Sequence, residues 1–162
     1  MQEQARLKPK IEEMIPEYLD GEIRQSLFGF LEFCFANGIK IKWSATNRWK
    51  LAYKSTLVGM IYLAKCPCMP GGNKFEKNTW YIHVNMEEEV IRKENFTELI
   101  YKNVLPCVLD QKRCDKPYTV TVLGKEFKNA CPVSGHRWTT PDVETLNCIQ
   151  KMIEFKIETL SN

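Results

Sequence analysis

Apolar residues recur along this chain with two different periods, and the switch between them divides it into elements. From Glu22 to Asn37, the residues Ile23, Leu27, Phe30, Leu31 and Cys34 return every three to four positions, and Phe33 and Phe35 widen the stripe. That spacing predicts a helix with one buried face. Gly38 ends it, since glycine takes the left-handed conformation of a C-terminal cap without strain. Beyond Gly38 the period drops to two. Ile39, Ile41 and Trp43 alternate with Lys40 and Lys42, and Trp49, Leu51 and Tyr53 alternate with Arg48, Lys50 and Lys54. Strands with one apolar and one wet face have this pattern. Leu57 to Ala64 is apolar at nearly every position, which predicts a central strand covered on both faces. In a further strand, Thr79 to Asn85, the residues Trp80, Ile82 and Val84 take one side, and Tyr81, His83 and Asn85 take the other.

The remaining signals are shorter. Pro9 to Asp20 has a helical pattern that Pro16 is expected to break or kink. Glu87, Glu88 and Glu89 suggest the solvated start of a helix. Another helix is expected from about Asn95 to Val104, and a β-branched strand from Tyr118 to Leu123, closed by Gly124. The last helix has the fullest set of signals: Thr140 as N-cap, Pro141 in the first turn, then Asp142 and Glu144 beside the positive end of the helix dipole. Val143, Leu146, Ile149, Ile153, Ile157 and Leu160 form its apolar stripe. The prolines and glycines of 66–73 and the polar run 107–117 predict loops. This order predicts one α+β domain over residues 1–162: an antiparallel sheet of about five strands with helices packed mainly on one face.

Composition changes this picture in one place. The net charge of +3 over 162 residues is too small to require a nucleic acid or an anionic membrane. Its distribution is uneven, however. Between Phe33 and Phe75 there is no Asp or Glu, while Lys40, Lys42, Arg48, Lys50, Lys54, Lys65 and Lys74 all fall there. The wet face of the sheet is therefore expected to be cationic. The polar segment Met1 to Lys10 lacks the apolar core of an export signal, and no apolar run reaches the roughly 20 residues that span a bilayer. Seven scattered cysteines are then expected to be reduced thiols in the cytoplasm.

Few residue patterns suggest covalent chemistry. No nucleophile elbow, zinc-protease motif or phosphate loop is present. Gly71-Gly72-Asn73-Lys74 has the composition of a hairpin turn. Cys66 and Cys68 are separated by a single residue, and Cys107, Cys114 and Cys131 lack the paired spacing of zinc knuckles, so no metal or cofactor is expected. Cys34 and Cys148 lie on apolar helix stripes as small core residues. Cys131 and His136 are close in sequence, which is poor support for a thiolate pair, and His136 is expected in a loop.

The candidate ligand-binding residues are Arg48, Lys50, Tyr81 and His83. Strand alternation puts Tyr81 and His83 opposite Trp80, on the face that antiparallel pairing would share with Arg48 and Lys50. Such a face suits an anionic or aromatic ligand. Simple solvation is the plainer meaning of an alternating charged face.

The helical N-terminal part followed by Trp43-Ser-Ala-Thr-Asn-Arg-Trp-Lys-Leu-Ala-Tyr-Lys54 and Val58 to Ala64 resembles small bacterial domains of the YdhG-like kind. The resemblance covers the first half of the chain and implies a cytoplasmic bacterial protein. A looser analogy, at the level of fold, is to effector domains of the GyrI-like kind, which hold cationic drugs through a carboxylate. The expected strands from Ile39 to Ala64 carry no acid, so a neutral or anionic ligand is expected here. The function expected is non-covalent binding of a small neutral or anionic molecule or of a protein partner. The alternative is single-stranded nucleic acid on the basic face, with Trp43, Trp49, Tyr53 and Trp80 for stacking. Those aromatics share the apolar phase of their strands, which favours the core.

Overall fold

The computed structural model describes residues 2–64, 77–105, 118–131 and 135–162. Three helices come first: α1 (Gln2–Leu7), α2 (Ile11–Tyr18) and α3 (Gly21–Ala36). Strands β1 (Lys40–Ala45), β2 (Arg48–Tyr53), β3 (Thr56–Leu63) and β4 (Trp80–Val84) follow. Then come α4 (Glu88–Lys93), α5 (Thr97–Lys102), β5 (Tyr118–Val122), β6 (Lys125–Ala130), β7 (Arg137–Thr139) and α6 (Val143–Ser161). Five strands form an antiparallel sheet in the order β1-β2-β3-β4-β7, and β5 with β6 forms a separate two-stranded ribbon. The fold is thus α+β. Among the described residues, no helix is long and apolar enough to cross a membrane.

One hydrophobic cluster joins the helices to one face of the sheet. Ile15, Leu27, Phe30, Leu31, Ile149 and Ile153 meet Trp49, Leu51, Ile61, Leu63, Trp80 and Ile82, all of them buried. These sheet residues share one phase, as alternation predicts. Ile39 is buried with them, while Ile41, Trp43 and Tyr53 are partly buried against the same cluster. A second, separate cluster holds Tyr62 and Tyr81, with Met60 against it. It lies on the opposite phase of β3 and β4, so β3 is buried on both faces.

The α3–β1 connection follows from Gly38. At φ +69° it lets its own N–H bond the Phe35 carbonyl at 3.0 Å and the Ile39 N–H bond the Cys34 carbonyl at 2.9 Å. This is the paired bonding of a Schellman turn, and it starts the strand phase at Ile39.

Several expectations require correction. The polar N-terminus forms α1, whose Gln4 side chain grips the β1–β2 turn: its Nε2 donates to Asn47 Oδ1 at 2.7 Å, and its Oε1 accepts from the Asn47 N–H at 2.9 Å. Trp49 Nε1 donates to the Pro9 carbonyl at 3.0 Å. This helix is held by side-chain hydrogen bonds, so apolar periodicity does not reveal it. Helix α2 runs two residues past Pro16 to Tyr18. Phe35 is half exposed and lies outside the α3 stripe. The N-cap of α6 is Asp142, whose Oδ1 accepts from the Thr145 N–H at 2.8 Å. Thr140 instead extends the β4–β7 ladder, its N–H donating to the Trp80 carbonyl at 2.7 Å. Val143, in the first turn of α6, is 85% exposed and is not part of the stripe.

The expected strand near Tyr118 exists but is not in the main sheet. Beside β4 the place is taken by β7, with Trp138 opposite Ile82 in the core phase. Strand β5 offers that core little, since Val122 is its buried residue. It pairs with β6 through Leu123 and Gly124, both at positive φ, as the tight mirror-image hairpin turn requires. The Leu123 carbonyl anchors this ribbon, accepting from Arg92 Nη2 at 3.2 Å and Tyr101 OH at 3.4 Å. The loops expected over 66–73 and 107–117, the turn at 71–74, and Cys66, Cys68, Cys107 and Cys114 lie outside the described residues.

Candidate functional site on the second sheet face

The face turned away from the helices is built by two cross-strand rows. Register puts Lys42 opposite Lys50, Lys50 opposite Met60, Met60 opposite His83 and His83 opposite Arg137. The neighbouring row runs Arg48, Tyr62, Tyr81, Thr139. Arg48, Lys50, Tyr81 and His83 therefore do share one face. They do not touch as one group, because Met60 and Tyr62 on β3 lie between them. Lys50 and His83 are two strand spacings apart, about 10 Å.

The β1–β2 end is cationic and wet. Lys40, Lys42 and Lys50 are exposed and Arg48 is half-buried. Arg48 Nε donates to Ser44 Oγ at 3.1 Å, which lays the guanidinium across the two strands. Among the described residues, no carboxylate comes within salt-bridge distance of these four cations.

The β4–β7 end is aromatic and drier. Tyr62 and Tyr81 are 6% and 4% exposed. The Arg137 guanidinium sits 5.6 Å from the centre of the Tyr62 ring, within cation–π range. The His83 and His136 rings meet edge to face at 6.1 Å. A hollow of about 30 Å³ opens beside His83, lined by Leu57, Val58, Gly59, Met60, Val84 and Asn85. That is close to the volume of a single water, so a ligand here would lie on the face and not within a deep cavity.

Charge at this end depends on pH. Burial lowers the His83 pKa below its ordinary value, and the positive charge of Arg137 and the neighbouring His136 lower it further. Burial also lowers that of His136. Both rings are neutral at pH 7, so His83 acts there as a neutral donor or acceptor. Because these folded-state pKa values lie below the unfolded ones, the unfolded chain takes up protons first on acidification. Stability present above about pH 6.5 is lost as pH falls through the folded pKa values. Thermal melting between pH 7.5 and 5.5 should show this loss, and His83→Gln should flatten part of it. A wild-type profile that rises on acidification would contradict the burial of this pair.

The structure offers no nucleophile among its buried thiols. Burial pushes the Cys34 thiol up to about 12, and burial together with Glu144 does the same to Cys148. Among the described residues, no three His, Cys, Asp or Glu side chains are placed to hold a metal ion.

Of the residues at this end, His136 lies in a turn, as expected, whereas Tyr62 and Arg137 are not among the sequence candidates. Tyr62 was readable: if Ile61 and Leu63 take the core phase, Met60 and Tyr62 must face the other way. Arg137 sits on a three-residue strand, too short for period two to register. No protein-family model, curated protein or solved structure matches this chain.

Proposed function

We propose that this domain binds a compact anionic molecule non-covalently on the cationic sheet face. Lys50 and Arg48, with Lys42 opposite Lys50, would hold its charge, and His83 would border its far end, with the buried Tyr81 forming the floor beside it. The observation that carries this reading is the direct opposition of Lys42 and Lys50 with no carboxylate nearby among the described residues. Like charges directly opposite destabilise a strand pair by a few tenths of a kcal/mol, up to about 1. An anion between them removes that repulsion. Both lysines are exposed, so salt screens the interaction and the affinity is modest. A bacterial cytoplasmic setting, as the resemblance to YdhG-like domains implies, belongs to the same proposal.

Nucleic acid is the weaker reading. Stacking needs accessible aromatic faces; of the aromatics suited to it, Trp49 and Trp80 are fully buried, and Trp43 and Tyr53 are packed in part against the core cluster. Two titrations separate the readings: a panel of di- and tricarboxylates and phosphate monoesters, and single-stranded oligonucleotides in a salt series. We expect binding to the small acids that strengthens with ligand charge, with Lys50→Ala and Arg48→Ala each weakening it about tenfold. Tight oligonucleotide binding that falls steeply with salt would replace this reading. Silence in both assays would leave a solvated face.

A further inference from the structure

The two edges of the main sheet are finished differently. At the β7 edge, the N–H of Val84 bonds the His136 carbonyl and the N–H of Thr140 bonds that of Trp80. Even-numbered residues there bond inward, so the Arg137 carbonyl points outward. It is already engaged, accepting from Asn103 Nδ2 at 2.8 Å. At the opposite edge, the Asn47 carbonyl accepts from the Leu63 N–H, so odd-numbered residues of β2 bond toward β3 and even-numbered ones toward β1. Register then makes Lys40 and Lys42 the residues of β1 that bond β2, opposite Ala52 and Lys50. The N–H and C=O groups of Ile41 and Trp43 point away from the sheet. Among the described residues, no hydrogen bond from outside the sheet reaches the backbone of residues 40–45.

We infer that the β1 edge accepts an extended acidic segment of a partner protein as an added antiparallel strand. Main-chain bonds to Ile41 and Trp43 would supply the pairing, as in other cases of strand addition. Charge selects the occupant. Lys40 and Lys42 project from β1 on the wet face, so a strand with acids at alternate positions would set them beside these lysines and its apolar residues beside Ile41 and Trp43. A second copy of this chain is disfavoured at the same edge, because its own Lys40 and Lys42 would be brought against these. Edge lysines guard natural sheets against self-pairing in this way. This site shares Lys42 with the small-anion reading, but it engages the edge backbone of Ile41 and Trp43, whereas a small anion engages side chains on the face.

The test uses the whole chain and a capped peptide of alternating Glu and Val, followed by amide hydrogen exchange. In the free protein the Ile41 and Trp43 amides should exchange quickly, and the peptide should slow both by about tenfold or more. Methylating the peptide's backbone nitrogens on its bonding side should weaken binding by about tenfold or more. A small acid at the sheet face would not protect these two amides. Lys42→Glu is exposed and gains an opposite charge across from Lys50, so it should fold, and it should shift preference to a Lys/Val peptide. Slow exchange in the free protein, equal binding of the methylated peptide, or equal binding of the Lys/Val peptide by the unaltered chain would each overturn the inference. Concentration-dependent protection without peptide would assign the edge to a second copy instead.

Discussion

Leu51→Ala is expected to cost about 2–5 kcal/mol of folding stability. Leu51 is fully buried and stands between Ile41 on β1 and Gly59 on β3, under the helix layer. Removing its isopropyl group loses transfer free energy and leaves a cavity that the sheet backbone cannot collapse to fill. At roughly 2–4 °C per kcal/mol for a chain of this size, the melting point should fall by about 4–20 °C. Lys50→Ala, one residue away on the wet face, should stay within about 0.5 kcal/mol. The pair tests the phase of β2. A one-residue slip would move every side chain of this strand to the other face and would reverse the two results.

How far the sequence foretold this fold depended on where stability comes from. Helix α3, strands β1, β2 and β4 and most of α6 bury a regular apolar stripe, so period alone locates them, while β3, buried on both faces, is marked by its nearly continuous apolar run. Helix α1 buries almost nothing and is held through Gln4 and Asn47, a contact between residues far apart in sequence. Strand β7 is defined by its ladder to β4, and three residues carry too little alternation to reveal it. The candidate face was legible in part. Phase alone placed Arg48, Lys50, Tyr81 and His83 on one side of the sheet. It did not give the order of strands, which inserts Met60 and Tyr62 between the two halves and brings Arg137 and His136 up to His83. Which aromatics are sealed and which cations stay wet is a property of that order.

Gly59→Ala should be the most damaging single-methyl addition to the sheet, and it links the core to the candidate face. A methyl built at Gly59 would lie 2.9 Å from the His83 carbonyl, 3.0 Å from Val84 Cγ1 and 3.2 Å from Leu51 Cδ1. Two of these neighbours are side chains that can yield by rotating. The carbonyl belongs to β4 and can retreat only by spreading β3 from β4. Alanine has an opposing advantage, since it lowers the entropy of the unfolded chain by about 0.4–1 kcal/mol. Overpacking costs about 1–3 kcal/mol, so a net loss is expected. The double variant Leu51→Ala/Gly59→Ala separates the contacts. Deleting the leucine clears the approach at Cδ1 but leaves the carbonyl, so the pair should cost less than the sum of the singles and more than Leu51→Ala alone. The retreat of β4 should also shift the ring resonances of His83, which stands opposite Met60 on the same strand pair. An alanine variant as stable as the parent, with His83 unmoved, would mean that β3 and β4 lie farther apart than this structure places them.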